Sequence, residues 1–84
     1  MHLIIAYDVE AKRTEKFKKI CQNYLIKIQN SVFEGDISES QLMRLRDVLE
    51  KEVKHGETVR IWIPSKIIQT IQIGRHNSIE EGII

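Results

Sequence analysis

Apolar residues along this 84-residue chain change their spacing in a set order, and that order limits the available folds more than any other feature. His2 to Tyr7, HLIIAY, is an unbroken run of β-formers that suits a strand buried on both faces, and Asp8 closes it. From about Ala11 the pattern turns helical, with Phe17, Ile20, Cys21 and Tyr24 three and four apart on one stripe. Leu25–Asn30 and Ser31–Ile37 then suggest two strands joined by a very tight connection or a bulge. Ser38 and Gln41 make a capping-box pattern before a second helix that carries Leu42, Leu45, Leu49 and Val53 on one face. Gly56 stands where a left-handed cap would end it. A fourth strand, Thr58–Pro64, sends Val59, Ile61 and Ile63 one way and Arg60 and Trp62 the other, and Pro64 stops it. A fifth runs from Lys66 to Gly74, with Ile67, Ile71 and Ile73 on a shared face.

The resulting order, β-α-β-β-α-β plus a fifth strand, is α+β of the ferredoxin-like type: an antiparallel sheet with two helices on one face. One domain spans residues 1–74, and residues 75–84 form a tail without a clear period. The surplus strand and the tail residues Ile79, Ile83 and Ile84 need somewhere to bury their isoleucines, and a symmetric homodimer is the expected solution. No apolar run approaches the roughly 20 residues that span a bilayer, so no membrane association is expected. The N-terminal run lacks the basic flank and small-residue cleavage site of a signal peptide. Cys21 has no second cysteine to pair with, which makes a cytosolic, cytoplasmic chain the default and a buried inert thiol the expectation.

Charge is unevenly spread. Between residues 12 and 27, Lys12, Arg13, Lys16, Lys18, Lys19 and Lys27 face Glu15 alone, although the whole chain carries only +1. Two readings fit: a solvated helix face, or a surface for polyanions. On a helical wheel Lys12, Lys16 and Lys19 cluster on the solvent side. Arg13 falls at the edge of the apolar stripe and should lean toward the end of the first strand. Gly-rich phosphate loops, paired Cys-x-x-Cys motifs, His-Glu-x-x-His and Gly-x-Ser-x-Gly are all absent, and His2, His55 and His76 lack zinc-ligand spacing. What remains is Tyr7-Asp8 at the end of the first strand. Asp8 is either an N-cap for the following helix or a hard oxygen ligand for Mg²⁺, shared with a second copy across a two-fold axis.

Several of these segments, taken together, resemble CRISPR-associated protein family 2, the small subunit of spacer acquisition. They are Tyr7-Asp8 after an apolar strand, the basic helix, Lys27-Ile28-Gln29-Asn30-Ser31-Val32-Phe33-Glu34-Gly35, VRIWIP, and the late Ile73-Gly74. The resemblance implies a ferredoxin-like homodimer whose last strand adds to the partner's sheet. It implies a Mg²⁺-dependent endonuclease acting on single-stranded RNA or double-stranded DNA, and a DNA-binding core that joins a larger integrase subunit. A non-catalytic DNA-bridging scaffold is the alternative. On the endonuclease reading the resemblance makes Asp8 the metal ligand and catalytic residue, with Tyr7 and Arg13 beside it. Lys12, Arg13, Lys16, Lys19, Lys27, Ser31 and Phe33 become the nucleic-acid contacts, with Phe33 on the sheet surface opposite the helices. Glu15 and Lys27 stand where some members carry arginines.

Overall fold

In the computed structural model, which describes residues 1–65 and 70–74, the central strand is β1, His2–Asp8. It pairs antiparallel with β3, Val32–Asp36, on one side and with β4, Thr58–Trp62, on the other. The edges are β2, Ile26–Gln29, and β5, Thr70–Gly74, giving the order β2-β3-β1-β4-β5. A single 3₁₀ turn at Ala11–Arg13 leads into α1, Thr14–Cys21, and α2 is Glu39–Glu52. Both helices cover the same sheet face. Leu3, Ile5 and Tyr7 of β1, Phe33 of β3 and Val59 and Ile61 of β4 meet Phe17, Cys21, Leu42, Leu45 and Leu49 in one core. Among the described residues no helix is long and apolar enough to cross a membrane.

Local sequence accounts for most of these boundaries. Ser38 Oγ accepts the Gln41 backbone N–H at 3.1 Å, and the Gln41 side chain accepts the Ser38 N–H at 2.9 Å. The capping box is therefore closed in both directions, which fixes the start of α2. Its end comes earlier than expected. The helix stops at Glu52 because Val53 turns extended and becomes a buried core residue. Gly56, at φ 89, instead serves the turn in which the Glu57 N–H donates to the Lys54 carbonyl. The β2–β3 connection holds only Asn30 and Ser31, with a register slip between Lys27 and Gln29. Ser31 takes φ 61, uncommon for a residue with a side chain, and its carbonyl accepts the Tyr7 N–H at 3.0 Å. That bond fastens the hairpin tip to the end of β1.

Two expectations need correcting. β1 buries one face only: Leu3, Ile5 and Tyr7 are buried, whereas Ile4 and Ala6 are half-buried on a face that no helix covers. β5 lies beside the chain's own β4, with Thr70 opposite Trp62 and Gly74 opposite Thr58, rather than on a partner's sheet. The seven residues between Trp62 and Thr70 are enough for the chain to turn back. Residues 66–69, with Ile67, and the tail 75–84, with Ile79, Ile83 and Ile84, lie outside the described residues. Gly74 meets its neighbours closely: a Cβ there would stand 2.8 Å from the Glu57 carbonyl oxygen and 3.2 Å from Thr58 Cα.

Candidate functional site

Adjacent strand residues point to opposite faces, and this separates the two residues that close β1. Asp8 goes to the face without helices. It lines a shallow hollow of about 260 Å³ with Ala6, Thr58, Arg60 and Trp62, bordered by Tyr7. Neither the 3₁₀ turn nor α1 is capped by a side chain, so the N-cap role open to Asp8 is not taken up. Its carboxylate is exposed and makes no hydrogen bond or ion pair among the described residues. Such a group suits a hard cation, which prefers carboxylate oxygen and keeps several waters. A single chain supplies only part of a site: among the described residues no group of three or more His, Cys, Asp or Glu side chains is placed to hold a metal ion.

Tyr7 goes the other way. Its ring lies between Phe17, 5.5 Å away, and Phe33, stacked at 6.1 Å. Burial pushes the phenol pKa up, partly opposed by a hydrogen bond with Ser31. Phe33 is itself fully buried, which corrects its expected place on the open surface. The β1–β3 register pairs Phe33 with Ile5, so the two share the core face, while Val32 pairs with Ala6 on the open one. Cys21 is the buried thiol expected, its pKa pushed up to about 12 by loss of solvent.

Arg13 also departs from expectation. Its Nε donates to Glu57 Oε2 at 2.6 Å and its Nη2 to Glu57 Oε1 at 3.0 Å, while Nη2 also reaches the Glu52 carbonyl at 2.8 Å. The guanidinium stands 5.5 Å from the Phe17 ring centroid. Arg13 leans inward from the stripe edge, as the wheel implies, but the loop after α2 takes up its fork before any phosphate could. Glu57 carries almost no sequence signal for this role. Its only signal is an acid two residues before a buried strand position, in a loop where acids are ordinary. The arginine hydrogen bonds hold the Glu57 carboxyl below the usual carboxylate range, outweighing burial, and the Lys54 N–H at 2.9 Å adds to this.

This carries a pH dependence. A carboxyl whose pKa is depressed in the folded state adds stability above the unfolded value of about 4.3, and loses it as pH falls through the folded value. Glu57→Gln should therefore melt on the order of 5 °C below the unsubstituted chain at neutral pH. The gap should narrow as pH falls below about 4. Melting curves across pH would check this, and a constant gap would contradict the clamp.

The lysines divide by position. Lys12 pairs with Glu10 at 3.8 Å at an exposed site where such a pair adds little, and the exposed Lys16 reaches the half-buried Glu52 at 3.3 Å. Lys18, Lys19 and Lys27 have no ion pair among the described residues, and Lys18 is half-buried.

The strand order, with both helices on one face and an unengaged carboxylate at the end of β1, defines a ferredoxin-like α+β domain with an open, partly apolar sheet face. The chain belongs to the CRISPR associated protein Cas2 family, whose sequence model matches residues 1–71. It is 42% identical over 52 residues to CRISPR-associated endoribonuclease Cas2 3 of Thermodesulfovibrio yellowstonii, across 62% of this chain and 59% of that protein. It is 37% identical to CRISPR-associated endoribonuclease Cas2 of Pyrococcus furiosus, across 74% of each. A crystal structure of Cas2 superposes with a TM-score of 0.71 at 40% identity, covering 74% of this chain and 71% of that one. Streptococcus pyogenes Cas2 shares the fold, at a TM-score of 0.69 and 22% identity over 84% of this chain and 99% of that one.

Proposed function

We propose that this chain is a metal-dependent endonuclease of CRISPR adaptation, cutting phosphodiesters with Asp8 at the end of β1. The observation that carries this is the unengaged Asp8 carboxylate in an open hollow, in a chain whose relatives bear the name endoribonuclease. Mg²⁺ held there would supply a Lewis acid and an activated water. Asp8 of each chain in a two-fold dimer would provide the one or two carboxylates such an ion takes. The exposed Ile26 and the half-buried Ile4 on the open face give such a dimer apolar area to bury. Tyr7 sets the direction of Asp8 by anchoring the strand end in the core. Arg13 acts at one remove, holding the start of α1 against Glu57. The lysines of α1 and Lys27 attract the strand, with Ser31 at the hairpin tip.

The test is cleavage of end-labelled single-stranded RNA and duplex DNA with Mg²⁺ and with a chelator. Cutting of either that stops on chelation is the expected result. Cutting that persists without divalent metal would overturn the metal-dependent reading.

A second reading has one observation in its favour: Arg13 is occupied by Glu57, which leaves one acidic group and little else for chemistry at the strand end. On this reading the chain bridges DNA for a larger integrase subunit without cutting it. Duplex binding with steep salt dependence and no cleavage would favour it.

A further inference from the structure

On the helix side of the β1 end no guanidinium is free, since Arg13 is closed onto Glu57. The open face of the sheet supplies another. Arg60 of β4, half-buried, lines the same hollow as Asp8, with Ala6 and Trp62 as apolar walls. The β1–β4 register sets Arg60 opposite Ala6 and Asp8 opposite Thr58, so the two charged residues are diagonal neighbours on one face. Such neighbours stand roughly 7–8 Å apart, within reach of a side chain as long as arginine's. Yet no ion pair joins them, and Arg60 makes no hydrogen bond or ion pair with any other described residue. Gln72, opposite Arg60 on β5, adds a buried amide nitrogen without an acceptor. Two adjacent donor groups lack acceptors here, and Asp8 is the sole acid lining the hollow. A ligand rich in acceptor oxygens would satisfy them.

We infer that Arg60 is a catalytic residue of the cleavage reaction, its guanidinium holding the non-bridging oxygens of the scissile phosphodiester. The inference rests on the endonuclease reading above and adds to it the group that neutralises the phosphate. Asp8 is itself an anion and repels a phosphate, so it serves a cation and leaves the phosphate oxygens to Arg60. In the hydrolysis, a water oxygen bonds to phosphorus and the bond from phosphorus to the leaving sugar oxygen breaks. The water's proton passes to that oxygen through solvent. Negative charge gathers on the non-bridging oxygens between these two events, and a planar guanidinium meets two of them at once. The walls of Ala6 and Trp62 thin the water around the guanidinium, which strengthens that attraction.

The test is steady-state cleavage of end-labelled single-stranded RNA and duplex DNA with Mg²⁺, with kcat and KM measured separately. Arg60→Ala should lower kcat by about 10²–10³-fold and leave KM little changed. Arg60→Lys keeps the charge without the fork and should recover only part of the loss. Free guanidinium added to Arg60→Ala should restore part of kcat, and none in Asp8→Asn. Arg44→Ala, at an exposed site on α2, should match the unsubstituted chain. Unchanged kcat in Arg60→Ala, while the unsubstituted chain cuts, would overturn the assignment and leave the Asp8 reading intact. Raised KM at constant kcat would make Arg60 a binding contact and overturn its catalytic role. A loss of kcat that guanidinium does not rescue, accompanied by a lower melting temperature, would make Arg60 structural and overturn that role too. No cutting by the unsubstituted chain would overturn both the endonuclease reading and the role of Arg60.

Discussion

Asp8→Asn is expected to lower metal-dependent cleavage by on the order of 10³-fold, about 4 kcal/mol of lost transition-state stabilisation at ~1.4 kcal/mol per factor of ten. The amide keeps the shape of the side chain and removes the charge a hard cation needs. What makes the experiment decisive is how little else Asp8 does. It caps neither helix turn and is exposed. Surface changes away from such features stay within about 0.5 kcal/mol, so the melting temperature should move by no more than ~4 °C. Cleavage unchanged by the substitution would remove Asp8 from the chemistry. A large loss of stability would mean that the strand end depends on it structurally.

Phe33→Ala should be the most destabilising of the changes considered. Phe33 is fully buried, stacked on Tyr7 and paired in register with Ile5. Truncating a buried phenylalanine costs about 3–5 kcal/mol. In a domain of this size that lowers melting by about 15–25 °C, a large part of a small domain's whole stability. Phe33→Leu should recover most of the loss. A phenylalanine that contacted nucleic acid instead would give the opposite pattern, with weaker binding and an almost unchanged melting curve. An alanine variant melting within a few degrees of the unsubstituted chain would contradict the core placement.

Phe33 also illustrates what sequence could and could not reveal. That Val32 and Phe33 face opposite ways follows from strand geometry, but which of them faces the core depends on register with β1. That register, with Phe33 opposite Ile5 and Val32 opposite Ala6, is made with a strand far away in sequence, and no residue spacing announces it. The elements themselves were legible because the change of period and the Ser38–Gln41 box are local signals. The α2 end is not legible in the sequence because Gly56 signals a left-handed residue equally well in a cap or in a separate turn. For Arg13 the wheel gave the direction of lean and missed the partner, since Glu57 lies 44 residues away and only tertiary packing brings it near. Asp8 was legible as a strand-end acid. Its lack of a capping role was not, because that depends on where the turn after β1 carries the chain.

The tight fit around Gly74 has a consequence for how the fifth strand is indexed. With the Glu57 carbonyl only 2.8 Å from where a Cβ would stand, the position opposite Thr58 admits a residue without a side chain and nothing larger. Sliding the strand by two residues would keep the same faces in and out, and so satisfy the alternation of apolar side chains. It would also bring Gln72 into that gap, where its side chain collides with backbone. Gly74 thus acts as a key that only one alignment turns, giving an edge strand, the element most prone to slip, a single frame in which to close the sheet.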